Sequence, residues 1–161
     1  MKTILLKSIK SILQSNQNLL SIAIKQRAKF EGWLKFELAY ELWKINPQTV
    51  VEYAIKGKHV DLFSNGALIE LKTPNTKYQL DTVDKKCLSM TLNIQKIIDD
   101  IEKLRKLAPE VPSYVAFVMF PIDDVLYKGH IEKITKRIQK GNFVQEVVCI
   151  NGVNVWSSCE E

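Results

Sequence analysis

The stretch Val60-Asp61-Leu62-Phe63-Ser64-Asn65-Gly66-Ala67-Leu68-Ile69-Glu70-Leu71-Lys72 alternates apolar and polar residues on both sides of Asn65-Gly66. That dipeptide suits a two-residue type I′ hairpin turn, whose central positions both need positive φ. Counting outward from it, Ser64 faces Ala67, Asp61 faces Glu70 and His59 faces Lys72. One face then carries Asp61, Glu70 and Lys72, and the other carries Val60, Leu62, Ala67, Ile69 and Leu71, an apolar set suited to packing on a helix. Directly opposed carboxylates, with about 4.5–5.5 Å between Cβ atoms, repel unless a cation or proton sits between them. A solvated hairpin face with ordinary surface ion pairs is the bland alternative, and acid opposite acid is a poor way to build one.

Outward from this hairpin, the order of elements is legible. Upstream, Thr49–Ile55 reads as a further strand joined through Gly57, giving three antiparallel strands in succession. Before it, apolar residues recur at helical spacing from Thr3 to Leu13. A polar break at Gln14–Asn18 then leads to a second helix that runs to Ile45, weakened at Gly32 and stopped by Asn46-Pro47. Downstream, Leu88–Leu107 is an amphipathic helix ended by Pro109 and Pro112, and Tyr114–Phe120 is a strand apolar enough to be buried on both faces. Asp123 can cap a helix reaching Lys140. Phe143–Ile150 and Val153–Trp156, joined by Asn151-Gly152, form a closing hairpin.

With 161 residues, 46% hydrophobic and 25% charged, the chain fits one globular domain, 1–161, without repeats or linkers. A net charge of +5 suits a polyanionic partner. Cys87, Cys149 and Cys159 are an odd set with no CxxC spacing, which points away from a disulfide framework and a zinc site. No stretch approaches a membrane span, and Lys7 and Lys10 interrupt the apolar start. The expectation is a cytoplasmic protein.

Oxygen donors such as Asp61 and Glu70 suit Mg²⁺ or Mn²⁺, and Lys72 on the same face is placed to orient or help deprotonate a water. Those are the parts needed for phosphodiester hydrolysis. At these residues the chain resembles the PD-(D/E)XK, or restriction-endonuclease-like, nuclease superfamily: Asp61, an eight-residue gap, then Glu70-Leu71-Lys72, with Val60 where the family has proline. The resemblance implies that Asp61 and Glu70 bind Mg²⁺ with help from the Leu71 carbonyl, and that Lys72 serves the attacking water. It also implies an α/β fold with an α-β-β-β-α-β core from Glu31 to Phe120 and a mixed sheet flanked by helices. An extra N-terminal helix and a C-terminal helix with hairpin would be added to that core. The expected activity is that of a metal-dependent DNA endonuclease, with a homodimer expected for two-strand cleavage. The alternatives are a toxin or defence nuclease acting on RNA, and a non-catalytic nucleic-acid-binding or protein-interaction module.

The family often adds an acid from the helix before the sheet. Glu37, at the edge of the Leu34, Leu38, Ile45 stripe, is preferred over Glu41, and either could instead pair with Lys35 or Lys44. If Lys56-Gly57 is a two-residue turn, Glu52 comes opposite Asp61. Gln95 and His59 are weaker candidates: an exposed helix glutamine and an incidental histidine beside a lysine are the commoner readings of such residues. Lys25-Arg27-Lys29, Lys85-Lys86, Lys103-Arg105-Lys106 and Lys133-Lys136-Arg137-Lys140 could flank a nucleic-acid groove. Trp33, Phe36, Tyr40 and Trp43 could stack bases, although core or interface roles are commoner for such residues.

Overall fold

A computed structural model describes residues 1–76, 90–120, 129, 132, 136, 144–150 and 153–160. Helices α1 (Lys2–Ser15), α2 (Gln17–Gln26) and α3 (Glu31–Trp43) precede strands β1 (Val50–Ile55), β2 (Lys58–Ser64) and β3 (Ala67–Lys72). Helix α4 (Met90–Leu107) and strands β4 (Ser113–Met119), β5 (Val144–Ile150) and β6 (Val153–Glu160) follow. The strands form one six-stranded sheet in the order β1-β2-β3-β4-β6-β5. β3 and β4 are parallel and the other pairings antiparallel, so the chain is α/β with a mixed sheet.

The sheet is covered on both faces. Leu5, Leu6, Ile9 and Leu13 of α1, Leu20 of α2 and Leu34, Leu38 and Leu42 of α3 pack on Leu62, Ile69, Leu71, Ala116 and Val118. On the other face Ile94, Ile97, Ile98, Ile101 and Leu104 of α4 meet Leu68, Val115, Phe117 and Met119. Strict alternation along β3 and β4 sends neighbouring residues to opposite layers. Each fully buried Leu or Ile contributes about 1.5–3 kcal/mol, so these two layers hold the sheet.

Two of the three expected hairpin turns lie within the described residues, which exclude Asn151-Gly152: Lys56 and Gly57 have φ of 48° and 74°, and Asn65 and Gly66 have 50° and 73°. Ser64 pairs with Ala67 and Ile150 with Val153, as the turn residues require.

The N-terminal region departs from the reading of two helices. The single long helix expected to reach Ile45 is divided into α2 and α3. The break falls at Arg27, whose φ of 48° closes α2 in a left-handed cap, and Gly32 sits inside the first turn of α3. A basic side chain carries the break because Arg27 is used internally. Its guanidinium donates to the Thr76 carbonyl, its own carbonyl accepts from Asn75, and the residue is buried. It is therefore not part of a basic outer face. Ile45 lies beyond α3 and is exposed.

Among the described residues no helix is long and apolar enough to cross a membrane. Gly129, Glu132 and Lys136 have helical backbone, in keeping with a helix after β4. The rest of that helix, Lys85-Lys86, Lys133, Arg137 and Lys140, and Cys87 lie outside the described residues.

Candidate functional site

The β2–β3 ladder runs from Ser64↔Ala67 to Leu62↔Ile69 and stops there. Extending its register by one residue puts Asp61 opposite Glu70, as counted from the turn. At that point the strands part, and the side chain of Asp61 does what a backbone carbonyl would otherwise do: its Oδ2 accepts the Leu71 amide at 2.8 Å. The β1–β2 register likewise brings Glu52 opposite Asp61 between the pairs Val51↔Leu62 and Tyr53↔Val60, and Glu52 has φ of 53°.

This left-handed residue has a consequence that alternation alone does not foresee. Val51 packs on the layer of N-terminal helices, whereas Tyr53 and Ile55 pack on the α4 layer. In β2 the same switch separates Leu62, on the N-terminal layer, from Val60, on the α4 layer. The expectation that Val60 and Leu62 share one apolar face is thus corrected: the bend at Glu52 and Asp61 interposes a residue that counts toward neither face.

Because the ladder opens there, both helix layers reach the acid pair. From α3, Lys35 pairs with Glu52 and lies 3.3 Å from Asp61 Oδ1, while Glu31 Oε2 accepts the Thr73 amide at 3.1 Å. From α4, Lys103 pairs with Glu70. Lys72 Nζ stands 3.2 Å from Asp100 Oδ2 and 3.8 Å from Glu31 Oε1, and it donates to the Leu71 carbonyl at 3.1 Å. Glu70 is buried, and the Asp61 side chain is only 15% exposed.

The Asp61 and Glu70 carboxyls come opposite one another where the ladder opens, and their affinities for the proton are driven apart. Burial and then the neighbouring Asp61 push Glu70 up to about 7, against the pull of Lys103. Burial opposes the charge on Asp61 too. The hydrogen bonds from Glu70 and the Leu71 amide, with the charges of Lys72 and Lys35, outweigh it and hold Asp61 below the ordinary value. One proton shared by two facing acids is the expected compromise. For Lys72, burial disfavours the ammonium, but Glu31, Asp100 and Glu70 together overcome it and raise its pKa. Lys72 is therefore a firmly held cation.

Of the residues singled out in the sequence, Asp61, Glu70, Leu71 and Lys72 come together. Glu37 does not join them. Glu31 and Lys35, one turn apart, are the α3 residues aimed at the strands, and Glu37 lies about 160° around the helix from Lys35. Glu41 pairs with Lys44 at 2.6 Å. Gln95 bonds Asp99 at 2.7 Å. His59 is exposed, its Nδ1 being 3.2 Å from the Glu52 carbonyl.

Glu31, Lys35, Asp100 and Lys103 were not legible as site residues. Glu31 and Lys35 are spaced one turn apart, as are Asp100 and Lys103, but such i, i+3 and i, i+4 charges are the usual pattern of a solvated helix face. Among the described residues, no group of three or more His, Cys, Asp or Glu is arranged to hold a metal. A cavity of about 290 Å³ beside the end of α4, lined by Ile101, Leu104, Val111 and Val115 among others, includes none of the charged cluster. No family model, curated protein or solved structure matches the chain.

Proposed function

We propose that the chain is a metal-dependent nuclease whose reaction centre is the point where β2 parts from β3. The observation that carries this reading is the pair Asp61 and Glu70: a half-buried acid opposite a buried one that is pushed up to about 7, with the Lys72 cation two residues further along β3. Such a pair is a poor structural device and a good seat for a divalent ion. The order α3-β1-β2-β3-α4-β4, with β3 and β4 parallel, supports a restriction-endonuclease-like core.

The donor set fits a hard cation. Asp61, Glu70 and the Leu71 carbonyl would hold Mg²⁺ or Mn²⁺, whose charge would offset the two facing acids. When bound, the ion supplies a Lewis acid and lowers the pKa of a coordinated water. The chain's own groups do the rest. Lys72, kept charged by Glu31 and Asp100, holds and orients the attacking water and offsets negative charge growing on the phosphate, so it acts as a donor and not as the proton acceptor. Leu71's amide fixes the Asp61 carboxylate, and Lys35 holds its other oxygen. Glu31, anchored on the Thr73 amide, takes the place beside the centre for which Glu37 was the candidate.

The substrate proposed is DNA, with RNA as the alternative polymer. The test is incubation of the purified protein with supercoiled, linear, branched and single-stranded DNA and with RNA, in Mg²⁺, Mn²⁺ or EDTA. Cleavage that needs the metal and disappears in Glu70→Gln and Lys72→Ala is the expected result. No metal-dependent cleavage of any of these polymers overturns the reading.

One observation favours a second reading. Both acids already have ammonium partners, Lys35 for Asp61 and Lys103 for Glu70, as in an ion-pair network that serves only to join strands and helices. A non-catalytic nucleic-acid-binding or protein-interaction module would keep that network without chemistry. It predicts that Glu70→Gln leaves any nucleic-acid binding unchanged and that Mg²⁺ does not stabilise the fold.

A further inference from the structure

Phe36, Tyr40 and Trp43 are 64%, 59% and 51% exposed, and they recur at i, i+4 and i+7 along α3. This spacing makes a single aromatic stripe about 10 Å long. It is not the buried side of the helix, because Leu34, Leu38 and Leu42 already fill that side. Scattered exposed apolar residues need no explanation, but a contiguous aromatic patch marks an interaction surface.

The charges beside the stripe decide what it takes. Glu37 and Glu41 flank it. The neighbouring cation, Lys44, is already held 2.6 Å from Glu41 and lies 5.1 Å from the centre of the Tyr40 ring. Two glutamates against one lysine leave this face acidic, which disfavours a phosphate backbone beside these rings. The stripe is also self-complementary on reversal. About a two-fold axis at Tyr40, an antiparallel copy of α3 sets Tyr40 against the partner's Tyr40 and brings Phe36 within one residue, about 1.5 Å of rise, of the partner's Trp43. Glu37 then comes within one residue of the partner's Lys44, whose solvent-exposed pair with Glu41 can be exchanged for it. Both aromatic and charged partners match under the same operation, as an isologous contact requires.

We propose that this face of α3 is the contact between two copies of the chain, packed as an antiparallel helix pair. The area is sufficient for a weak dimer. Six rings, at about 150–250 Å² each when wholly buried and half or more of that exposed here, provide roughly 500–900 Å². That lies below the ~1,000 Å² that a stable interface clears and fits a weak, transient and reversible contact. The inference uses only the outer side of α3 and is independent of the nuclease reading.

Sedimentation velocity between roughly 1 and 200 µM, a range that spans micromolar dissociation, tests it on the intact chain without metal or nucleic acid. A reversible monomer–dimer equilibrium is expected, weakened about 10-fold or more by Phe36→Glu, since aromatic anchors dominate such contacts. Glu37→Lys and Lys44→Glu should each weaken it, and the double exchange should restore it, because the swapped charges again face one another. All these side chains lie on the outer side of α3, so cooperative melting curves shifted only slightly, as loss of the exposed Lys44–Glu41 pair requires, identify folded variants. A chain that stays monomeric up to about 200 µM overturns the proposal, as does a dimer indifferent to Phe36→Glu. A charge exchange that fails to restore association overturns the antiparallel contact. Tryptophan quenching by a single-stranded oligonucleotide, without any dimer, would assign the stripe to nucleic acid instead.

Discussion

Lys103 of α4 pairs with Glu70 of β3, so the acid that burial and Asp61 push up to about 7 is met by a charge from the helix layer below it. The ammonium moderates the rise in pKa but does not cancel it.

A pH dependence of stability follows from that arrangement. The folded pKa of Glu70 lies above its ordinary 4.5, so the folded protein binds more protons than the unfolded chain between about 4.5 and about 7. The stabilisation is fully present below 4.5 and is lost as pH rises through 7. Asp61 is shifted the other way from 3.8 and acts only below this window. In EDTA the Tm of the parent should fall across pH 4.5–7 by several degrees more than that of Glu70→Gln. Lys103→Met should move the fall to higher pH. Parallel curves for parent and Glu70→Gln would remove Glu70 as their source.

Magnesium should reverse that trend. A divalent ion competes with the proton for Asp61 and Glu70, so the rise in Tm on adding Mg²⁺ should be small near pH 5 and larger above pH 7. It should vanish in Glu70→Gln, because only binding to the folded site stabilises by mass action. Thermal melts with and without Mg²⁺ at both pH values check this.

The separation of Val60 and Leu62 onto opposite layers is testable by additivity. Both side chains are fully buried. Val60→Ala should cost about 1–3 kcal/mol and Leu62→Ala about 2–5 kcal/mol, and the double variant should lose the sum to within about 0.5 kcal/mol. Two cavities opening into one shared layer would couple instead. Urea unfolding of the four proteins measures the difference.

Asn65-Gly66 made the hairpin register readable, because few turns fit two residues with positive φ, and that register brought Asp61 and Glu70 together before any coordinates. Lys72 followed from alternation. The bend was not readable, since nothing about Glu52 as a residue type announces a left-handed backbone. With it went the true faces of Val60 and Leu62. Glu31, Lys35, Asp100 and Lys103 were hidden for another reason: a helical charge looks the same whether it meets water or a cleft two strands away. Glu37 drew attention through its place on the helical wheel, which ranks residues by burial and does not show where a sheet opens.

Glu52 separates backbone from side-chain effects. Its φ of 53° costs a non-glycine residue about 1 kcal/mol or more, while its carboxylate holds Lys35. Glu52→Gly should therefore be neutral or stabilising by up to about 1 kcal/mol, and Glu52→Ala should destabilise. Equal losses from both in chemical denaturation would show that the ion pair, not the backbone, sets the balance.

Lys72→Ala should abolish cleavage while changing nucleic-acid affinity less than about threefold, because one lysine contributes little to a diffuse electrostatic footprint. Activity should show no loss between pH 7 and 9 attributable to Lys72, since Glu31, Asp100 and Glu70 keep its ammonium charged there. Binding by fluorescence anisotropy and cleavage by gel, on the same preparations, separate the two roles.

β1 is one edge of the sheet, and an edge strand presents a row of unpaired amides and carbonyls on which a foreign strand can grow. The left-handed residue at Glu52 divides that row into Val50–Val51 and Tyr53–Ile55. Neither piece is long enough to hold a second strand in register. The bend that carries Glu52 to Lys35 thus also guards the chain against edge-to-edge aggregation, and straightening it would expose a continuous β template at the border of the molecule.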